Sequence, residues 1–167
     1  LKSIIRRYIY FFLAITTYLI IHEGVHAIQA HIYGIYKGMG ISPFGVEILI
    51  TQPLTIGGVK LVLFSGLSST VTVTIGYILL ILLPKILKLR TQIVKNYLYY
   101  VILIFLLLDP LYISLLSFLV GGDINGIALG LDVSYMSVRI VYILIFVLNL
   151  FLVYRKLYPA YNSKKFN

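Results

Sequence analysis

Between Lys60 and Lys85 lie twenty-four residues, Leu61 to Pro84, without a single charged side chain. A run of that length crosses about 30 Å of hydrocarbon as a helix, which satisfies its own backbone hydrogen bonds where no water can. Three further stretches read the same way: Tyr8 to Tyr33, Tyr97 to Val120 and Met136 to Tyr154. Composition agrees, with 60% hydrophobic and 11% charged residues, against about 25% charged in a soluble domain. The expectation is an all-α, multi-pass integral membrane protein of the cell membrane. It forms one domain over residues 1–167, with about four transmembrane helices. Fifteen tyrosines and no tryptophan make tyrosine the interfacial belt, as at Tyr97, Tyr99, Tyr100, Tyr154 and Tyr158.

The net charge of +9 does not read as a nucleic-acid surface. The basic residues fall between spans, at Lys85, Lys88, Arg90 and Lys95, and in the tail at Arg155, Lys156, Lys164 and Lys165. Orientation and contact with the bilayer explain that pattern. The absence of cysteine excludes disulfides and thiolate metal sites. A signal peptide is the rival reading of the first span, with Lys2, Arg6 and Arg7 before the apolar Tyr8 to Ile21. No A-x-A cleavage site follows, and cleavage near Ala27 to Ala30 would sever the polar motif described next. The chain opens on Leu1 rather than methionine, which is compatible with a further span upstream.

The first span ends in His22-Glu23-Gly24-Val25-His26, the HExxH spacing of zinc peptidase helices. Four residues on a helix amount to about 40° of rotation, so both imidazoles face one way, with Glu23 about 80° from their midpoint. Two neutral imidazoles can hold zinc, and the carboxylate can take a proton from water that the ion has acidified. His31 lies about 180° round the helix from His22 and reads as an interfacial histidine. In an apolar helix these polar groups each cost a few kcal/mol unless paired or liganded. Three of the chain's eight histidines and acids fall in this one spacing.

A catalytic zinc takes a third protein ligand and keeps one position open. Glu47, Asp109, Asp123 and Asp132 are the remaining acids. Glu47 sits in Phe44 to Ile50, which alternates like a strand after Pro43. Asp109 precedes Pro110 deep in the third span and reads as a kink or a buried polar contact. Asp132 stands before Ser134, where capping the last helix suffices. Asp123 lies in Gly121-Gly122-Asp123-Ile124-Asn125-Gly126, where glycines allow close approach. Alternating spans bring HExxH and Asp123 to the same membrane face, with Asp109 about 21 Å away along a straight helix. Asp123 is the expected third ligand.

These residues resemble the site-2 protease family of intramembrane zinc metalloproteases. The resemblance rests on HExxH in a membrane helix and a β-like, Gly/Pro-rich stretch from Gly38 to Gly58. A small-residue helix opening, Phe64-Ser65-Gly66-Leu67-Ser68-Ser69, and an aspartate beyond a later span complete it. It covers a catalytic core of about residues 8–131, followed by a last span at about 136–154. The family's Asn-Pro-x-Pro-x-x-Asp-Gly segment is reduced here to Asp109-Pro110 and Gly122-Asp123-Ile124-Asn125-Gly126. The small-residue opening lacks the proline and asparagine often found there.

The resemblance implies cleavage of a peptide bond in or near the transmembrane helix of a membrane-protein substrate, as in regulated intramembrane proteolysis. Val46 to Thr51 reads either as an edge strand for an unwound substrate or as a re-entrant loop packed over the core. Ser65, Ser68, Ser69, Thr70, Thr72 and Thr74 read either as a water path or as a close helix–helix interface.

Termini and loops carry three, two, four, none and four basic residues in chain order, with Arg139 inside the last span. Positive-inside counting therefore puts both termini in the cytoplasm and HExxH toward the outer face, whereas the family resemblance implies zinc nearer the cytoplasm. The expected function is a zinc endopeptidase with Glu23 as base and His22, His26 and Asp123 as ligands. The rival readings are an inactive scaffold of the same fold and a metal or proton transporter.

Overall fold

The computed structural model describes residues 2–42, 45–51 and 57–162. In chain order these form α1 (Lys2–Ile32), β1 (Tyr36–Ser42), β2 (Gly45–Ile50), α2 (Val59–Ile81), α3 (Leu83–Ile86) and α4 (Gln92–Leu111). A π-helical turn (Tyr112–Leu116) leads to α5 (Ser117–Val120), α6 (Asp123–Leu131) and α7 (Tyr135–Leu152). A second π-helical turn (Val153–Leu157) continues into α8 (Tyr158–Asn162). Among the described residues, four spans are long and apolar enough to cross a membrane: Ile4–Ile32, Val59–Ile81, Gln92–Val120 and Tyr135–Asn162. Each contains most or all of a stretch expected from the sequence. Leu1, Pro43, Phe44, Lys164, Lys165 and part of the Gly38 to Gly58 stretch lie outside the described residues.

The first helix can be long because its polar side chains satisfy themselves. Thr16 and Thr17 donate to the carbonyls of Phe12 and Leu13 at 3.0 and 2.9 Å, one turn back, so neither threonine hydroxyl is left bare toward lipid. It stops at Gly34, whose φ of +68° suits glycine. Gly34 N–H donates to His31 O at 3.0 Å and Ile35 N–H to Ala30 O at 2.9 Å, closing a Schellman motif. β1 and β2 then pair antiparallel, Gly40 opposite Glu47, with a register shift between Tyr36 and Gly38. The β-like stretch is thus a two-stranded hairpin over its described part.

The third span is the central one. In its most apolar stretch 56% of residues are buried, against 11% in the first and fourth spans. Ile102, Phe105 and Leu106 of α4 are fully buried. Apolar contact gains little in a bilayer because lipid tails are equally apolar, so close fits and hydrogen bonds locate the helices. Gln29 Nε2 donates to Leu63 O at 2.8 Å, tying α1 to α2. The short α6 lies against α2 through Gly126 and Gly130. A Cβ on Gly126 would overlap Ser65, and one on Gly130 would stand 2.8 Å from Gly58 O. That spacing, small residues four apart, lets two backbones touch.

Asp132 does not cap the last helix. It is the C-cap of α6, in left-handed backbone at φ 54° and ψ 46°, and Ser134 is the N-cap of α7. The Ser134 hydroxyl accepts from Ser137 N–H at 3.1 Å. The turn between α6 and α7 needs a left-handed residue first, and aspartate tolerates that conformation better than most.

Candidate metal centre

Tyr18, His22 and His26 follow one another at four-residue steps on α1, so they line one stripe of that helix. Both histidines are 7% exposed. Across from them, α5 ends at Gly121, and Gly121 and Gly122 take φ of +73° and +82°, backbone that glycine alone adopts easily. A side chain at Gly122 would collide with the Tyr112 hydroxyl. This turn delivers Asp123, the first residue of α6, to the histidines. His22 Nε2 lies 3.4 Å from Asp123 Oδ2, and His26 Nε2 lies 3.5 Å from Asp123 Oδ1. One ligand atom from each of the three residues falls within 4.8 Å of the others.

Three such atoms within 4.8 Å of one another could hold an ion, although the two short contacts end on different carboxylate oxygens. Tetrahedral zinc with ligands at about 2.0–2.1 Å separates neighbouring donors by roughly 3.4 Å. The donors are two imidazole nitrogens and a carboxylate, the set zinc accepts. Asp123 lies just beyond the third span. Burial acts to raise its carboxyl, but His22 and His26 outweigh burial and hold it below the usual carboxylate range.

A cleft of about 720 Å³ opens beside the trio, and its walls include Glu23, Val46, Glu47, Phe64 and Tyr112. Glu23 stands with the histidines at this cleft, as its place in the motif requires. Glu47 reaches the cleft from β2 but is not one of the three clustered donors. His31 points elsewhere: its Nδ1 is 2.8 Å from Ala27 O and its ring stacks on Tyr36 at 4.0 Å.

Asp109 is the buried polar contact anticipated for it, yet it is not remote from the centre. It is fully buried, and its Oδ1 lies 3.2 Å from His22 Nδ1. The straight-helix distance to Asp123 misleads for two reasons. The chain leaves the helical path at Gly121 and Gly122, and the His22 ring itself bridges the two carboxylates. Tyr18 donates to Asp109 Oδ1 at 2.5 Å, and Thr72 donates to Oδ2. The Ser68 hydroxyl lies 3.0 Å from His26 Nε2.

Of the small polar residues on α2, Ser65, Ser68, Ser69 and Thr72 are buried in the helix interface, while Thr70 and Thr74 are exposed. Sequence reasoning passed over Tyr18, although its place one turn before His22 was a usable signal. For Thr72 and Ser68, helical spacing gave the shared face but not the partner across it. Family models, curated proteins and solved structures return no match to this chain, and the donor geometry carries the functional reading alone.

Proposed function

We propose that this chain is an intramembrane zinc metalloprotease that hydrolyses a peptide bond in or near a transmembrane segment of a membrane-protein substrate. The observation that carries the reading is the separation of Asp123 from His22 and His26 by 3.4 and 3.5 Å, beside a cleft that Glu23 also lines. His22, His26 and Asp123 would hold zinc, leaving one side open toward the cleft. Bound there, zinc polarises the scissile carbonyl and acidifies water.

Glu23 does the proton work. Its carboxylate takes a proton from the attacking water and returns it to the departing amine, a role that needs a base near the ligands but separate from them. A substrate helix hides its carbonyls, so it must unwind locally before attack. Val46 and Ile48 of β2 stand at the cleft, and an extended substrate segment adds to such a strand through backbone hydrogen bonds.

The test is metal content and cleavage together. Purified protein should contain close to one zinc per chain, lose it on His22→Ala, and cleave a transmembrane peptide only when loaded. Full zinc occupancy without cleavage of any transmembrane substrate would favour a non-enzymatic scaffold. Absence of bound metal from folded wild-type protein would remove the reading altogether.

A further inference from the structure

We propose that Asp109 is a positioning residue, holding a proton on His22 Nδ1 so that Nε2 is the nitrogen left to ligate on the Asp123 side. The inference rests on the metal reading above and adds to it the group that sets one ligand's tautomer. Asp109 belongs to the centre of the third span, is fully buried, and is not one of the three clustered donors. An ionised carboxylate in that position costs several kcal/mol unless donors surround it.

Counting protons around His22 Nδ1 decides the tautomer. Two oxygens face it, Asp109 Oδ1 and Tyr18 Oη, each at 3.2 Å. Tyr18 has one proton, and its 2.5 Å contact with Asp109 Oδ1 takes it. Thr72 donates to the other carboxylate oxygen. Neither oxygen facing Nδ1 has a proton left to give, so Nδ1 must supply it. Nε2 is then the nitrogen left to shed its proton and ligate, and it is the atom 3.4 Å from Asp123 Oδ2. A carboxylate behind a ligating histidine both fixes the ring and raises its basicity. His26 has no such partner: its Nδ1 is buried without a hydrogen bond among the described residues. The two histidines are therefore unequal, and Asp109 serves only the first.

The experiment has two arms. Nitrogen-15 NMR of metal-free, histidine-labelled protein in detergent reads the tautomer without metal or substrate. His22 is assigned by comparison with the His22→Ala variant. The wild type should show His22 protonated on Nδ1, and Asp109→Asn should shift that ring toward a mixture. Zinc titration against a competing chelator is the second arm, in which Asp109→Asn should bind about 10–100-fold more weakly. Thr72→Val should show a smaller loss.

A wild-type His22 with no proton on Nδ1 overturns the proposal, even if zinc still binds and the metal reading stands. Unchanged zinc affinity in folded Asp109→Asn overturns it as well. The tautomer arm needs only the wild type and an assignment variant, so it decides the matter even if Asp109→Asn does not fold. If wild type binds no zinc at all, the metal reading fails while the tautomer still reports on Asp109.

Discussion

Asn149 Nδ2 donates to the carbonyl oxygen of Leu106 at 2.6 Å, the acceptor that Pro110 leaves without its helical partner. Proline carries no N–H, so the bond from residue 110 back to residue 106 cannot form. In a bilayer no water replaces it. Asn149, fully buried on α7, reaches across to fill the gap, and its own oxygen accepts from Tyr77 of α2 at 2.5 Å. Three spans are joined at one point, where the central helix is weakest.

Asn149→Ala should therefore destabilise the fold by about 1–3 kcal/mol, the cost of a buried carbonyl left unpaired. Thermal unfolding in detergent measures it. Zinc content per folded molecule should be unchanged, because Asn149 touches none of the donors. Loss of metal with no loss of stability would contradict this assignment.

Glu23→Gln should lower cleavage of a transmembrane substrate by about 10²–10⁴-fold while zinc remains bound. The amide keeps the shape and cannot accept the proton. Zinc analysis and a cleavage assay on the same preparation separate the two effects. Undiminished turnover would remove Glu23 as the base.

Asp123→Ala and His26→Ala should lose zinc to similar extents, since a three-ligand site does not tolerate removal of one. Glu47→Ala should keep it, because Glu47 is outside the donor cluster. Chelator competition ranks the three variants. If Glu47→Ala alone lost metal, the site would have to be rebuilt around the hairpin.

Asp132→Ala should cost about 1 kcal/mol, because alanine lacks the short polar side chain that eases left-handed backbone. Asp132→Gly should be neutral or stabilising at the same position. Equilibrium stability of the two variants distinguishes this from an N-capping role, in which glycine would bring no gain.

Cysteines placed at Leu89 and at Val133, both exposed, should be labelled from opposite sides of the membrane, Leu89→Cys from the cytoplasm. Four basic residues surround the first site and none lies in the loop carrying the second, which fixes orientation by the positive-inside rule. The native chain has no cysteine, so the assay has no background. Labelling of Leu89→Cys from outside would place the candidate centre nearer the cytoplasm.

The four candidate spans and the grouping of His22, His26 and Asp123 were legible because each leaves a mark in one dimension. Length and charge mark the spans, helical spacing marks the histidines, and paired glycines mark the turn that carries Asp123. The role of Asp132 was not legible, since an aspartate beside a helix start has the same letters whether it ends one helix or begins the next. Contacts across the bundle were hidden for a different reason. Helical periodicity puts Ser68 and Thr72 on one face of α2, but only packing decides that Thr72 meets Asp109 and Ser68 meets His26. The α6 helix was missed because its nine residues are too few to span, and its glycines resemble those of a loop.

That small helix behaves as a lever. Asp123 sits at its first residue, while its grip on α2 is made at Gly126 and Gly130, one and two turns further on. Bulk added at the grip would press on Ser65, Val62 and Gly58, and a shift of α6 to relieve it would move the carboxylate relative to the imidazoles. A survey of variants scored on bound metal would therefore flag two glycines that own no donor atom, one of them roughly 10 Å along the helix from the ligand.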